Sequence, residues 1–217
     1  MTSTEQTTVP TMSDPRPAFS AAVDLAGTVV AGIPPDQLGD PTPCHEFDVA
    51  QLRAHLLGVL RRVATIGRLG HVGDVPDIPT DFPADGFTEA WADAAADVTA
   101  VWAADDELLD RQCVLPWAAM PGNIALRIYV NEVLVHTWDL ATATGQQPAW
   151  SDDVATVAFE AIQMGLPAEG RTESFEELRQ SMPPELQDFT DPFAAAVEVP
   201  ADAPLIDRLV AWNGRTP

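Results

Sequence analysis

The sequence predicts a mainly α-helical bundle with short C-terminal additions. Four long stretches repeat apolar residues at intervals of three and four, which is the spacing of an amphipathic helix. Hydrophobic residues make up 46% of the 217-residue chain, so a full core can form. Candidate strands are short and cover only residues 112–116 and 194–199. We therefore expect a single helical domain over residues 16–217, preceded by a disordered leader over residues 1–15.

A loop rich in proline separates the first two predicted helices. Apolar residues recur at helical spacing over residues 19–33, and Pro34 ends that helix. Asp48 and Gln51 then form a capping-box pattern, in which the two side chains satisfy free backbone amides, so the second helix begins there. Its apolar stripe consists of Leu52, Leu56, Val59, Val63 and Ile66.

A long loop and two further helices follow. Residues 70–86 contain several glycines and prolines and predict a surface loop of the kind that covers binding sites. Residues 87–102 repeat apolar side chains at helical spacing and predict a third helix. Residues 123–144 predict a fourth helix that is apolar nearly all round and is therefore expected to be buried on every side. Gly145 is expected to end it.

From about residue 146 the sequence predicts an extension of the bundle. Asp152 or Asp153 is expected to cap a fifth helix. Ser174 and Glu177 form a second capping-box pattern, which predicts the start of a sixth helix. The remaining elements expected are that sixth helix, a strand and a last amphipathic helix, at residues 174–182, 194–199 and 204–213.

The charge of the chain excludes several classes of partner. Asp and Glu number 33 against 11 Arg and no Lys, which gives a net charge of -22. Such an excess repels phosphate backbones and anionic lipids, so we expect neither nucleic acid nor a membrane as the main partner. The absence of lysine also excludes Schiff-base chemistry on this chain. The first residues lack a signal-peptide pattern and no stretch is apolar enough to span a bilayer, which predicts a cytoplasmic protein.

Three polar residues interrupt the apolar fourth helix. Glu132, His136 and Asp139 follow one another at spacings of four and three, which places them on one face. His55 lies beside the apolar stripe of the second helix. A buried carboxylate needs compensation, and a divalent cation held by His55, Glu132 and His136 would supply it.

The chemistry of these side chains leaves two interpretations open. Two imidazoles and one carboxylate form a mixed site that suits zinc, nickel or iron(II) and keeps a coordination position free for water or substrate. Alternatively, Glu132 and His136 only hydrogen-bond each other and His55 is a core residue, because an ExxxH spacing recurs by chance in helical proteins. Spacing alone does not decide between them.

Three ordered motifs resemble a known family. TPCHEFDVAQLRAHLLG, NEVLVHTWDLATATGQ and VEVPADAPLIDRLVAWNGRTP together resemble the actinobacterial metal-binding proteins of the DinB and mycothiol-dependent maleylpyruvate isomerase superfamily. The resemblance covers most of the chain from about Pro17. It implies an up-and-down four-helix bundle, DinB-like, with a divalent metal near one end. By position it implies that His55, Glu132 and His136 are the metal ligands, and zinc is the metal of the isomerase branch.

The resemblance also gives Asp139 a role and marks some departures. Asp139 stands in the WD pair of the second motif, where it orients a ligating histidine or accepts a proton during catalysis. His45 is unusual at its position, and exposure to solvent is the expected reading. The segment over residues 168–192 is longer than the corresponding segment in many relatives. The isomerase branch has a catalytic arginine in its C-terminal domain that neither Arg208 nor Arg215 matches clearly, so isomerisation of maleylpyruvate itself is not supported.

The site and the resemblance together predict a metal-dependent enzyme. It would use a small thiol, mycothiol or a similar compound, for transfer to an electrophilic small molecule or for its isomerisation. The alternative is a non-catalytic bundle that binds a metal or ligand as a sensor, a carrier or a structural site. Cys44 and Cys113 show no paired motif, so no disulfide is expected. A nucleophilic Cys44 would need a base close by, and the adjacent His45 is not oriented toward it by sequence proximity alone, so this role is not expected. A homodimer is one open alternative for the oligomeric state.

Overall fold

The computed structural model describes residues 12–83, 85–181 and 193–217. Its helices are α1 (Arg16–Ala31), α2 (Val49–Leu69), α3 (Phe87–Ala103), α4 (Gly122–Ala143), α5 (Asp152–Gly165), α6 (Arg171–Ser181) and α7 (Leu205–Trp212). Two short strands, β1 (Gln112–Val114) and β2 (Ala119–Pro121), form one antiparallel sheet. The prediction of a mainly helical fold is confirmed, and the observed helices are consistent with the DinB-like fold that the resemblance implied.

Helices α1 to α4 form the bundle. Both α1 and α2 pack against α3 and α4, which encloses one apolar core between the four helices. Helix α4 is buried on nearly every side, as its sequence predicts, and its buried residues include the polar side chains of Arg127, Asn131, Thr137 and Asp139. Helix α2 faces α4 across the core, so polar residues of these two helices can meet in the interior.

The C-terminal helices pack on one side of this bundle. Helix α5 packs against α4 and α1, and α7 packs against α5 and α4. After α7 the chain stays on α4, where Asn213 and Asn131 exchange two amide hydrogen bonds of 2.9 and 3.2 Å. The C-terminal residues are therefore fixed beside the helix that carries Glu132 and His136.

The predicted start of α2 is confirmed, whereas the predicted starts of α6 and α5 need correction. The capping box of Asp48 and Gln51 is confirmed at the start of α2. Helix α6 begins at Arg171 instead of Ser174, because Gly170 at φ 70° turns the chain there; the Ser174 hydroxyl donates to the Gly170 carbonyl within the helix. Its predicted end at Met182 lies outside the described residues. Ser151 is the N-cap residue of α5, so Asp152 and Asp153 are its first two residues and not its cap.

The strand predictions are half right. The chain does form a strand at Gln112–Val114, but its partner Ala119–Pro121 was not predicted. Residues 194–199 form no strand, and within the described ranges no strand lies beside them to pair with. A single backbone bond of 2.9 Å joins the Val197 amide to the Ala211 carbonyl.

Other expectations concern the termini, the cysteines and the membrane. Residues 1–11 of the predicted leader lie outside the described residues, whereas the Ser13 carbonyl accepts a hydrogen bond from the buried Arg127. Cys44 and Cys113 are both free, in agreement with the sequence. Among the described residues, none of the helices combines the length and the apolarity that crossing a bilayer requires.

Candidate metal centre

Two imidazoles and one carboxylate meet between α2 and α4. His55 comes from α2, and Glu132 and His136 lie one turn apart on α4. One ligand atom of each of the three residues lies within 4.8 Å of those of the other two. His55 Nε2 is 3.4 Å from Glu132 Oε1, and the two imidazole rings face edge to face at 5.2 Å between centroids. The predicted residues are thus brought together in one place.

The Nδ1 atom of each imidazole already has a partner. His55 Nδ1 lies 3.2 Å from the backbone carbonyl oxygen of Asp77, and His136 Nδ1 lies 3.1 Å from Asp139 Oδ2. Both partners only accept hydrogen bonds, so the proton of a neutral ring belongs on Nδ1 and the lone pair on Nε2. This is the arrangement in which histidines bind metal ions, with the second nitrogen held by a carbonyl or a carboxylate.

Glu132 supplies the negative charge of the cluster. Its side chain is 22% exposed, so the group opens toward solvent on this side. Burial alone would raise the pKa of the Glu132 carboxyl, but the hydrogen bond from His55 and the charges of His55, His136 and Arg62 lower that pKa overall. The carboxyl is therefore ionised at neutral pH. With a cation in place of the proton between His55 Nε2 and Glu132, two Nε2 atoms and one carboxylate would fit a divalent ion of the zinc type.

Asp139 lies behind His136 and is completely buried. Arg215, beyond α7, binds both of its oxygens, with Nε 3.2 Å from Oδ1 and Nη2 2.9 Å from Oδ2. Burial raises the pKa of the Asp139 carboxyl, but the hydrogen bonds from His136 and Arg215 more than reverse this and lower it. Of the two predicted roles of Asp139, orientation of His136 fits this geometry, because the carboxylate is buried away from solvent and already contacts His136 and Arg215.

A second group of donor atoms shares His136 with the first. Cys44, His136 and Asp139 place one ligand atom each within 4.8 Å of the others. The guanidinium of Arg215 occupies both Asp139 oxygens and carries a permanent positive charge, so this group does not fit a cation. Burial raises the pKa of the Cys44 thiol, although Arg215 opposes the shift, and the thiol stays protonated at neutral pH.

The loop before α2 forms one wall of the candidate centre. Phe47 stacks on His55 with 5.1 Å between ring centroids. The buried Thr42 hydroxyl lies 2.9 and 2.7 Å from the carbonyl oxygens of Cys44 and Phe47 and fixes this loop. His45 is exposed and belongs to neither group of donor atoms, in agreement with the expected reading.

The loop over residues 70–86 forms the other wall. Its Asp77 carbonyl contacts His55, its Asp77 carboxylate pairs with Arg62, and its Asp81 carboxylate binds Arg61 at 2.5 Å. The loop approaches α2 at Gly58, where a Cβ atom would lie 2.7 Å from the Asp77 carbonyl oxygen. The predicted covering loop is thus attached to α2 directly beside the candidate centre.

Sequence reasoning missed the groups that hold the imidazoles. The Asp77 carbonyl is part of the backbone and leaves no mark in the residue pattern. Arg215 stands 76 positions after Asp139, and no spacing rule connects them. The only available signal was the motif WNGRTP, which contains both Asn213 and Arg215.

The fold and the candidate centre define a helical bundle that collects ligand-forming side chains from facing helices in its core. Residues 19–141 match the family model described as the mycothiol maleylpyruvate isomerase N-terminal domain, and the chain belongs to this family. It is also similar to two proteins of Mycobacterium tuberculosis described as uncharacterized, Rv0738 of strain H37Rv and MT0763 of strain CDC 1551. Each is 30% identical over 203 residues, which cover 94% of this chain and 98% of the relative. No solved structure matches the chain.

Proposed function

We propose that the chain is a metal-dependent enzyme that transfers a small thiol to, or isomerises, an electrophilic small molecule. The observation that carries this proposal is the meeting of the Glu132 carboxylate with two imidazoles whose Nδ1 atoms are both occupied. A divalent cation, with zinc expected before nickel or iron, would supply a positive charge that lowers the pKa of a thiol to near neutrality. The family description supports mycothiol as that thiol.

Each residue of the centre has one task in this proposal. His55 and His136 would bind through Nε2, and Glu132 would bind through its carboxylate while offsetting the charge of the cation. Asp77 and Asp139 hold the two rings in the binding tautomer. Phe47 and the loop over residues 70–86 wall the centre and limit the access of water.

Two arginines near the C-terminus bear on which compound the enzyme would isomerise. Arg208 lies over the Phe159 ring at 5.3 Å, and Arg215 is bound to Asp139. Arg215 is thus engaged by Asp139, and Arg208 has no contact with the candidate centre among the described residues, so we do not propose maleylpyruvate as the substrate. We further propose a small-molecule substrate and action in the cytoplasm. We propose no role for nucleic acid or anionic membrane surfaces, which the net charge of -22 would repel.

The test measures metal content and thiol transfer in purified variants. The wild type, prepared without chelators, should hold about one equivalent of metal and conjugate mycothiol to electrophiles. His55→Ala and His136→Ala should lose both properties. The matched control is His45→Ala, which removes an exposed histidine near the centre and should retain both.

Two outcomes would contradict the proposal at different levels. A wild type that takes up no metal at saturating zinc would remove its basis. A wild type that binds one equivalent but transfers no thiol in a broad screen would contradict the enzymatic part and leave a sensor, carrier or structural site.

A further inference from the structure

Arg215 is the guanidinium that reaches the carboxylate behind His136. It binds both oxygens of Asp139, and Asp139 in turn contacts His136 Nδ1 at 3.1 Å. The chain of contacts therefore runs from the C-terminal segment, through one carboxylate, to one of the three expected ligands. His55 differs, because its Nδ1 contacts the backbone carbonyl of Asp77 and not a carboxylate.

The guanidinium is itself held in place. Its Nη1 donates to the Asn213 carbonyl at 2.9 Å, and the Arg215 amide donates to the Val210 carbonyl at 2.9 Å. Asn213 is fixed by its amide pair with Asn131 of α4 and by a bond to the Leu209 carbonyl. The segment that carries Arg215 is therefore attached to α4 and α7, while the guanidinium itself is held by the Asn213 backbone carbonyl and by Asp139.

The two donors Nε and Nη2 of Arg215, which form a fork, determine how the Asp139 carboxylate is oriented. Two parallel N–H···O contacts fix the plane of a carboxylate, whereas a single contact leaves it free to rotate. Asp139 has no contact with solvent, so without Arg215 its charge would stay in the interior with His136 alone. With Arg215 present, Oδ2 is aimed at His136 Nδ1.

We propose that Arg215 is a positioning residue of the metal centre, which acts through Asp139 to hold His136 in the orientation and tautomer that bind metal. The inference rests on the proposed function in so far as His136 is a ligand. A purely structural role is the alternative, in which Arg215 only fastens the C-terminal segment to α4. The amide pair of Asn131 and Asn213 fastens the same segment without touching Asp139, so it separates the two roles.

The first experiment is a double-mutant cycle read out as zinc affinity, measured by competition with a chromophoric chelator. Arg215→Met and Asp139→Asn should each weaken zinc binding about 10- to 100-fold, the usual effect of losing a partner of a ligating histidine. In the Asp139→Asn background, Arg215→Met should cause no further loss, because its effect passes through Asp139. Asn213→Ala should change zinc affinity far less than Arg215→Met.

Three results would overturn the inference. They are an unchanged zinc affinity in folded Arg215→Met, additive losses in the double variant, and an equal loss in Asn213→Ala. Circular dichroism and thermal melting verify that each variant is folded. Arg215→Lys keeps the positive charge but loses the two-donor fork. It replaces Arg215→Met in the cycle if Arg215→Met fails to fold. A zinc affinity of Arg215→Lys equal to that of the wild type would contradict the positioning role.

A second measurement keeps this inference separate from the proposed function. Nitrogen-15 NMR of the metal-free protein reports which nitrogen of His136 carries the proton. The wild type should show the Nδ1–H form, and Arg215→Met should show a mixture of forms. That pair of results supports positioning by Arg215 even if the wild type binds no zinc, whereas the same single form in both proteins contradicts it.

Discussion

At the scale of single residues, the candidate centre depends on which groups occupy the Nδ1 atoms of its histidines. The spacing of Glu132 and His136 and the position of His55 at an apolar stripe were sufficient to predict that the three meet. The partners of their rings were not predictable, since one is a loop carbonyl and the other depends on a distant arginine. Local patterns identify the three residues that meet, and tertiary contacts determine which nitrogen of each neutral imidazole carries the proton.

Asp139 makes the stability of the metal-free protein depend on pH. Its pKa is lowered in the folded state from its usual 3.8, so its contribution is complete above that value and is lost as the pH falls through the folded pKa. Asp139→Asn should therefore be less stable than the wild type by about 3 kcal/mol at pH 7, since it leaves the Arg215 charge buried without a counter-charge. Urea denaturation at pH 7 and pH 3 should show this difference shrinking in acid. The exposed control Asp93→Asn should show none at either pH, and a pH-independent gap for Asp139→Asn would contradict the argument.

At the scale of elements, α2 carries His55, which contacts both walls of the candidate centre. Its start was predictable because a capping box is local, with Asp48 Oδ1 accepting from the Gln51 amide at 2.8 Å. Asp48→Ala should lower the free energy of unfolding by about 1 kcal/mol, the usual cost of losing an N-cap acid. Asp93→Ala, an exposed acid within α3, is the control and should lie within about 0.5 kcal/mol of the wild type in urea denaturation. Equal stabilities of the two variants would show that this cap contributes nothing.

The contact between α2 and the loop over residues 70–86 gives a second prediction. A methyl group at Gly58 would lie 2.7 and 2.9 Å from the Asp77 and Pro76 carbonyl oxygens, so Gly58→Ala should displace the loop. We expect a loss of about 1–3 kcal/mol in stability and weaker zinc binding, since the same Asp77 carbonyl holds His55. Gly165→Ala at the end of α5 meets open space and should be neutral or stabilising. An unchanged zinc affinity in Gly58→Ala would show that the loop does not orient His55.

The elements that were predicted wrongly are those whose formation depends on a neighbour. Residues 194–199 have the composition of a strand, but a strand needs a partner, and the backbone there forms one bond to the end of α7. Ser174 and Glu177 have the spacing of a capping box, yet the turn at Gly170 starts α6 one turn earlier. The long helices of the bundle escaped such errors because their apolar pattern extends over many turns.

At the scale of the whole molecule, the bundle brings distant parts of the chain to one helix. Asn131 and Asn213 are 82 positions apart, and the pair holds the C-terminal segment against α4. The buried face of α4 was predictable from its apolar sequence, but the identity of what covers it was not. The family match over residues 19–141 ends before the segment that supplies Arg215.

Metal removal should lower the stability of the whole protein. A ligand that binds only the folded chain adds RT ln(1 + [L]/Kd), which is about 2.7 kcal/mol at 100 times Kd. The zinc-loaded wild type should therefore melt several degrees above the EDTA-treated protein, as scanning calorimetry would measure. His136→Ala should melt at the same temperature with and without EDTA, whereas His45→Ala should behave as the wild type. An EDTA-insensitive wild type would contradict metal binding at any site.

The most direct measurement is anomalous diffraction at the zinc edge from crystals grown with one equivalent of zinc. The account predicts a single strong peak at about 2.0–2.2 Å from Nε2 of His55, Nε2 of His136 and a carboxylate oxygen of Glu132. A peak bound instead by Cys44 and Asp139, or no peak in the interior of the bundle, would contradict it.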